Sequence, residues 1–161
     1  MRAARVEDLP QILAIHNDVI VNSNAIFSEQ QDTLEGRSHW YEQRTGAGLP
    51  VLVAETDGEV LGFASYGPFR PWPGYRETVE HSVHVRADSR RTGLGRRLLG
   101  TLVAHAREAG LHVMVAGIDG ENLASIALHR SLGFEQVGLM PEVAVKHGLR
   151  LDLVLMQLTL S

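Results

Sequence analysis

The sequence predicts a mixed α/β fold with a largely antiparallel sheet. Three features carry that reading: an Asp-Gly step between two apolar runs, three strand-like segments in succession, and helical segments with apolar residues on one face. A chain of 161 residues suits one compact domain, 1–161, because that length buries a core yet seldom supports two. Neither an internal repeat nor a linker interrupts it.

A short strand near Ala3 to Arg5 opens the chain, and Asp8 reads as the cap of a first helix. Leu9, Ile12, Leu13, His16, Val19 and Ile20 fall on one face of that helix. A second helix over Leu34 to Arg44 turns Trp40 and Tyr41 inward and stops before the turn-prone Gly46 to Pro50. Val51 to Glu55 and Val60 to Tyr66 flank Thr56-Asp57-Gly58-Glu59, which predicts a tight antiparallel hairpin. Gly67 to Tyr75 holds three prolines and two glycines, so it reads as an irregular loop exposing Phe69, Arg70, Trp72 and Tyr75 as a binding surface. Thr78 to Val85 is the next β run. A Gly-containing turn follows, then a helix with Leu98, Leu99, Leu102, Val103 and Ala106 on one side, ended by Gly110. A strand at His112 to Ile118, a helix from Asn122 to Leu132 ended by Gly133, a strand near Phe134 to Val137, a loop, and a strand at Leu151 to Leu158 complete the order.

Composition narrows the functions. Apolar residues make up 44 % and charged residues 21 %, ordinary globular usage. A net charge of -4 with interspersed signs offers no cationic field for a nucleic-acid backbone, so nucleic acid is not an expected partner. The local excess at Arg86, Arg90, Arg91, Arg96 and Arg97 suits a smaller, phosphate-bearing ligand. The absence of cysteine excludes disulfides, thiolate metal sites and cysteine nucleophiles. The longest apolar run, Leu151 to Leu160, is broken by Asp152 and Gln157, and the start carries Arg2 and Arg5; neither a membrane span nor an export signal is expected, which suggests a cytoplasmic location. Eight histidines form no His-Glu-x-x-His helix, and His81 and His84 fall on opposite faces of a strand, so no metal is expected.

The strongest motif is Arg90-Arg91-Thr92-Gly93-Leu94-Gly95, between a β run and an amphipathic helix. Its glycines are a plain turn, or they let backbone approach a ligand while the helix start offers free N–H groups and a positive dipole end to phosphate. A dinucleotide fingerprint would need glycine where Leu98 stands, and a P-loop would need Lys and Ser or Thr after the last glycine.

Ser82-Val83-His84-Val85, the turn from Arg90 to Gly95, Asn122, and Leu128-His129-Arg130-Ser131-Leu132-Gly133-Phe134 together resemble the GNAT superfamily. Thr78-Val79-Glu80-His81-Ser82-Val83, the run His112 to Ile118 and Leu151-Asp152-Leu153 are similar to the bacterial phosphinothricin and methionine sulfone/sulfoximine acetyltransferases within it. The resemblance implies an acyl-CoA N-acyltransferase fold, a mostly antiparallel sheet of about six or seven strands with about four helices. It also implies acetyl-CoA as co-substrate, a small amino-acid-like acceptor and a homodimer.

By the same resemblance, Val83, His84 and Val85 pair with the pantetheine arm in a gap beside their strand. The N–H groups of Arg91, Thr92, Gly93, Leu94 and Gly95 take the pyrophosphate, with charge added by Arg90 and Arg96. Asn122, Ser125 and His129 share a helix face, which the resemblance turns toward the coenzyme; alone, Asn122 also reads as an N-cap and His129 as a packing residue. Glu80, a carboxylate within an apolar β run, is either a solvated edge charge or the general base. A base is useful because deprotonating an amine at neutral pH costs about 1 kcal/mol for an α-amine and about 4.6 kcal/mol for lysine. The free amine then attacks the thioester directly. His129 stands where many GNAT members carry a tyrosine general acid, so it is assigned as acid or as amine-positioning group. Arg70, Trp72, Gly74, Tyr75, Arg76 and Ser82, with Phe27 from the first long loop, correspond to the acceptor pocket, where arginine suits an α-carboxylate. Two departures bear on the acceptor. His84 replaces a usual tyrosine, and Lys146 to Asp152 lacks the tryptophan usual before the Leu-Asp pair.

Overall fold

The computed structural model describes residues 1–161. Its strands are β1 (Arg2–Ala3), β2 (Val51–Thr56), β3 (Glu59–Pro68), β4 (Thr78–Val85), β5 (Val113–Asp119), β6 (Glu135–Lys146) and β7 (Leu149–Thr159). The helices are α1 (Leu9–Asn22), α2 (Leu34–Gly46), α3 (Leu94–Glu108) and α4 (Leu123–Ser131). The strands form one sheet in the order β1-β2-β3-β4-β5-β7-β6. Every neighbouring pair is antiparallel except β4 and β5, which run parallel.

Apolar side chains cover both faces of this sheet. On one, Leu98, Leu99, Leu102 and Ala106 of α3 are fully buried against Ala64, Met114 and Met156, with Ile126 of α4 beside them. On the other, Leu9, Ile12 and Ile15 of α1 pack on Val53 and Phe63, with Trp40 and Tyr41 of α2 at the margin.

The Asp57-Gly58 turn forms as expected. Both residues have positive φ, 52° and 82°, the conformation that matches strand twist in a two-residue hairpin. A second turn of the same kind, His147 (φ 50°) and Gly148 (φ 75°), joins β6 to β7. The segment expected to be a loop before the last strand is therefore a hairpin, and the short strand expected near Phe134 to Val137 is twelve residues long.

Three local expectations are corrected. Asp8 does not cap α1: its carboxylate accepts from the Arg5 N–H at 2.7 Å and from both terminal nitrogens of Arg2, at 2.7 and 2.9 Å, so it is committed to the preceding turn. Leu13 sits on the shoulder of the α1 stripe, half-buried, while Ile15 on the opposite shoulder is buried. Phe69 is half-buried rather than exposed, because it meets Tyr75 edge-on at 5.7 Å.

Candidate active site

The parallel pairing of β4 with β5 is short. It comprises Thr78 with Val113, Val79 with Met114 and Glu80 with Val115. Beyond Glu80, β4 stays with β3 as far as Val85, and β5 stays with β7 as far as Asp119. The two strands part there, and a cleft of about 460 Å³ lies in the wedge. His81, Ser82, Val83, His84 and Val85 form its β4 side; Gly117, Ile118 and Asp119 form its β5 side. Asn122, Ser125, Leu128 and His129 of α4 close one flank, and Ala25 and Ile26, between α1 and α2, close another.

Arg90 and Gly95 bring the start of α3 to this cleft. Arg91 (φ 61°) and Gly93 (φ 81°) are both left-handed, which curls the backbone before the helix. The first bond of α3 runs from the Arg97 N–H to the Gly93 carbonyl at 3.1 Å, and no carbonyl or side chain accepts from the N–H groups of Arg91 to Arg96. A row of free donors at the positive end of a helix dipole is an anion site suited to phosphate. A Cβ on Gly95 would lie 3.6 Å from Leu128 and 3.8 Å from Val85, so glycine there keeps the floor between β4 and α4 low. Arg90 leans on the Val85 carbonyl at 3.3 Å, and Arg96 reaches across to Ser131 of α4. Thr92 spends its hydroxyl on the Ser89 carbonyl at 2.7 Å, and the Leu94 side chain is buried in the core. These last two present backbone rather than side chain.

Glu80, Ser82 and His84 alternate onto the α1–α2 face of the sheet, where His84 meets Phe63 at 5.4 Å. The Glu80 carboxylate lies over Gly117 of β5, with Oε1 3.2 Å from the place a Cβ would take, and it accepts no hydrogen bond from the chain. Burial raises its pKa above the ordinary carboxylate range, and the charge of Arg70 opposes part of that rise. On the other side of Glu80, Arg44 of α2 lays its guanidinium over Gly67, the β3 partner of Glu80. Arg44 Nε is buried without an acceptor. A carboxylate and an unpaired cation thus flank one stretch of the face.

His129 is 5 % exposed and sits between two partners. Its Nδ1 is 2.7 Å from the Ser125 carbonyl, which can only accept, so the ring proton is on Nδ1. Nε2 is then an acceptor, and His81 Nε2, 3.0 Å away, must donate to it. That leaves His81 Nδ1 as a buried lone pair without a partner, as observed. Burial holds both rings neutral, lowering His129 and bringing His81 down to about 3.

The Gly67-to-Tyr75 region stands apart from the cleft. Arg70 lies 4.1 Å from the Phe69 ring centre and donates to the Phe69 carbonyl, yet stays close enough to act on Glu80. Trp72 is 70 % exposed, Tyr75 rests on Phe69, Gly74 has open space at its Cα, and Arg76 pairs outward with Glu77 at 3.7 Å. Phe27 is half-buried and directly follows the cleft residues Ala25 and Ile26. Asn122 also caps α4, accepting from the Ser125 N–H at 3.1 Å. Sequence reasoning missed Arg44, His81, Gly117 and the Ala25-Ile26 wall. Of these, only Gly117 carried a local signal, a glycine inside an apolar strand.

Residues 14–134 match the family model described as the acetyltransferase (GNAT) family. An L-methionine sulfoximine/L-methionine sulfone acetyltransferase of Pseudomonas aeruginosa is 55 % identical over 162 residues, spanning 100 % of this chain and 94 % of that protein. The crystal structure of a phosphinothricin acetyltransferase from Sinorhizobium meliloti in complex with AcCoA superposes with a TM-score of 0.95 at 36 % identity, covering 98 % of this chain and 86 % of that one. A ribosomal-protein-alanine N-acetyltransferase structure from Brucella melitensis reaches a TM-score of 0.97 at 51 % identity, covering 98 % of each chain.

Proposed function

Because the chain belongs to the acetyltransferase (GNAT) family, we propose that it N-acetylates the amino group of a small amino-acid-like acceptor, with methionine sulfone, methionine sulfoximine or phosphinothricin as the leading candidates. The observation that carries this reading is the wedge between β4 and β5, with Glu80 at its apex and the free N–H row of Arg91 to Arg96 at its mouth. Acetyl-CoA supplies an acetyl thioester.

The residues of the chain supply everything else. The N–H groups of Arg91 to Gly95 hold the diphosphate, with Arg90 and Arg96 adding charge. The unpaired edge of β4 from Val83 to Val85 pairs with the amides of the pantetheine arm, much as a missing strand would. Asn122 and Ser125 of α4 line the same channel. Glu80 removes a proton from the acceptor ammonium, and its raised pKa brings it closer to that of the amine. The amine nitrogen then bonds to the acetyl carbon as the C–S bond breaks; the products are an amide and a thiol. A strand N–H stabilises the developing oxyanion. Of the two roles open to His129, the neutral ring engaged at both nitrogens favours positioning over acid catalysis. Arg70, acting on Glu80 from the loop, takes the acceptor's carboxylate, while Phe27, Ser82, Trp72, Gly74, Tyr75 and Arg76 shape the approach. The apolar side chains of Val137, Leu139, Val143 and Val145, exposed on the outer strand β6, support assembly as a homodimer.

Thiol release from acetyl-CoA in the presence of an amino-acid panel tests the function. Acceleration by a sulfone, sulfoximine or phosphinic amino acid is expected; release no faster than the blank with every acceptor defeats it. The identity with the Brucella protein favours one second reading, acetylation of a peptide α-amine. A peptide beginning with alanine belongs in the same panel, and its preference over free amino acids would select that reading.

A further inference from the structure

Lys146, the last residue of β6, is 1 % exposed. Its ammonium nitrogen donates to three backbone carbonyls far away in sequence: Ile20 at 2.7 Å, Ser23 at 2.6 Å and Ile26 at 2.9 Å. A neutral amine has two N–H bonds, so three carbonyl acceptors require the charged form. Ile20 lies in the last turn of α1, where carbonyls lack helical partners and the dipole favours a cation. Ser23 ends that helix by giving its N–H and hydroxyl to the Val19 carbonyl at 3.1 and 2.7 Å. The chain then runs through Ala25 and Ile26, the residues that wall the cleft from the α1–α2 side. No other side chain of the β6–β7 hairpin hydrogen-bonds this segment; the neighbouring His147–Glu29 contact at 2.8 Å is solvent-exposed and worth little.

We propose that Lys146 is a positioning residue for the acceptor. Its ammonium fixes the segment from Ser23 to Ile26 as a rigid wall on the face that carries Glu80 and Ser82, and so sets how well the acceptor binds. This rests on the acetyl-transfer reading above. The free N–H row that would take the diphosphate starts α3, which packs on the other face of the sheet, and it makes no hydrogen bond with the lysine.

The chain has no cysteine, which makes a chemical test available. In Lys146→Cys the single thiol is alkylated in denaturant with 2-bromoethylamine, restoring an ammonium at the original reach, or with 1-bromopropane, giving a neutral adduct of equal length. After refolding, KM is measured for the acceptor and for acetyl-CoA, with Tm as control. The ammonium adduct is expected to match the parent protein, and the propyl adduct to raise the acceptor KM about tenfold with the acetyl-CoA KM within about twofold. An unshifted acceptor KM in the propyl adduct overturns the proposal, as does a parallel rise in both KM values, which marks a general structural role. If the propyl adduct does not refold, Lys146→Arg takes its place: its planar guanidinium keeps the charge but has at most two N–H bonds on any one nitrogen, so it cannot serve three carbonyls from a single point. A rise of at least about threefold confined to the acceptor KM is then expected, and no rise overturns the proposal. A parent protein that acetylates nothing defeats the reading of the site as a whole, whereas an active parent with an unshifted variant defeats only the role of the lysine.

Discussion

Glu80 and Gly117 form a pair in which each explains the other. The carboxylate leaves the β4 edge and lies across β5, and it fits because residue 117 has no side chain. An alanine there would place its Cβ 3.2 Å from Glu80 Oε1 and 3.3 Å from Leu153 Cδ1, so both neighbours must give by a few tenths of an ångström. Gly117→Ala is therefore expected to keep its circular dichroism spectrum and lower kcat about tenfold, since small displacements of the proposed base are costly. The pH profile is a second check. Because burial raises the Glu80 pKa, the basic form dominates only above the ordinary carboxylate range, and kcat/KM should climb with pH along a limb placed above that range. Glu80→Gln should abolish the limb and cut turnover about a hundredfold or more, with affinity for acetyl-CoA, measured by calorimetry, unchanged. Glu80 was legible in the sequence because a carboxylate in an apolar run is anomalous by itself. Arg44 and Lys146 were not: what makes them notable is what surrounds them, and for Lys146 those partners lie more than a hundred residues away.

At the scale of elements, the turn into α3 carries the proposed anion site. Its two left-handed residues and its row of free donors need only small side chains beneath them. Gly95 faces the cleft between Val85 and Leu128, so Gly95→Leu should raise the acetyl-CoA KM at least tenfold while Tm moves by only a few degrees, about 1 kcal/mol or less. The turn itself was readable, since glycines between a β run and an amphipathic helix mark a change of backbone direction; that its N–H groups are left free was not, because glycines there also serve as a plain turn. The hairpins show the limit of such reading. Asp57-Gly58 and His147-Gly148 adopt the same backbone geometry, but aspartate announces a left-handed turn and histidine does not. Strand β6 was underestimated for a related reason. Its apolar residues point outward and its register shifts twice, between Gln136 and Gly138 and between Met140 and Ala144, so it shows no clean alternation against a core.

For the whole molecule, four half-buried or buried histidines are held neutral by their surroundings: His16 and His84, each brought down to about 4, His81, brought down to about 3, and His129, lowered by burial. In the unfolded chain each would titrate near 6.5, so below that pH the unfolded state binds more protons and stability falls. The slope is roughly 1.4 kcal/mol per pH unit for each ring until its folded pKa is reached. Urea unfolding at pH 7 and pH 5 should therefore differ by on the order of 5 kcal/mol, lost on acidification. Asp8 acts in a different window. Its hydrogen bonds from Arg2 lower its folded pKa, so its contribution is present above 3.8 and disappears only as pH falls further. Replacing His16 and His84 with asparagine should flatten the slope between pH 7 and 5 but leave the loss below pH 4 in place.

The parting of β4 from β5 also makes this sheet a structure with an unfastened seam. From His81 to Val85 on one lip and from Ala116 to Asp119 on the other, backbone groups that would knit a continuous sheet have no strand opposite them. A slender molecule bearing amides would lace the two lips together and would favour the native fold by mass action. Coenzyme at a hundred times its dissociation constant should add about 2.7 kcal/mol to the unfolding free energy, and raise the melting temperature in step with its concentration. Adenosine diphosphate alone, which can reach the helix end but not the seam, should protect far less.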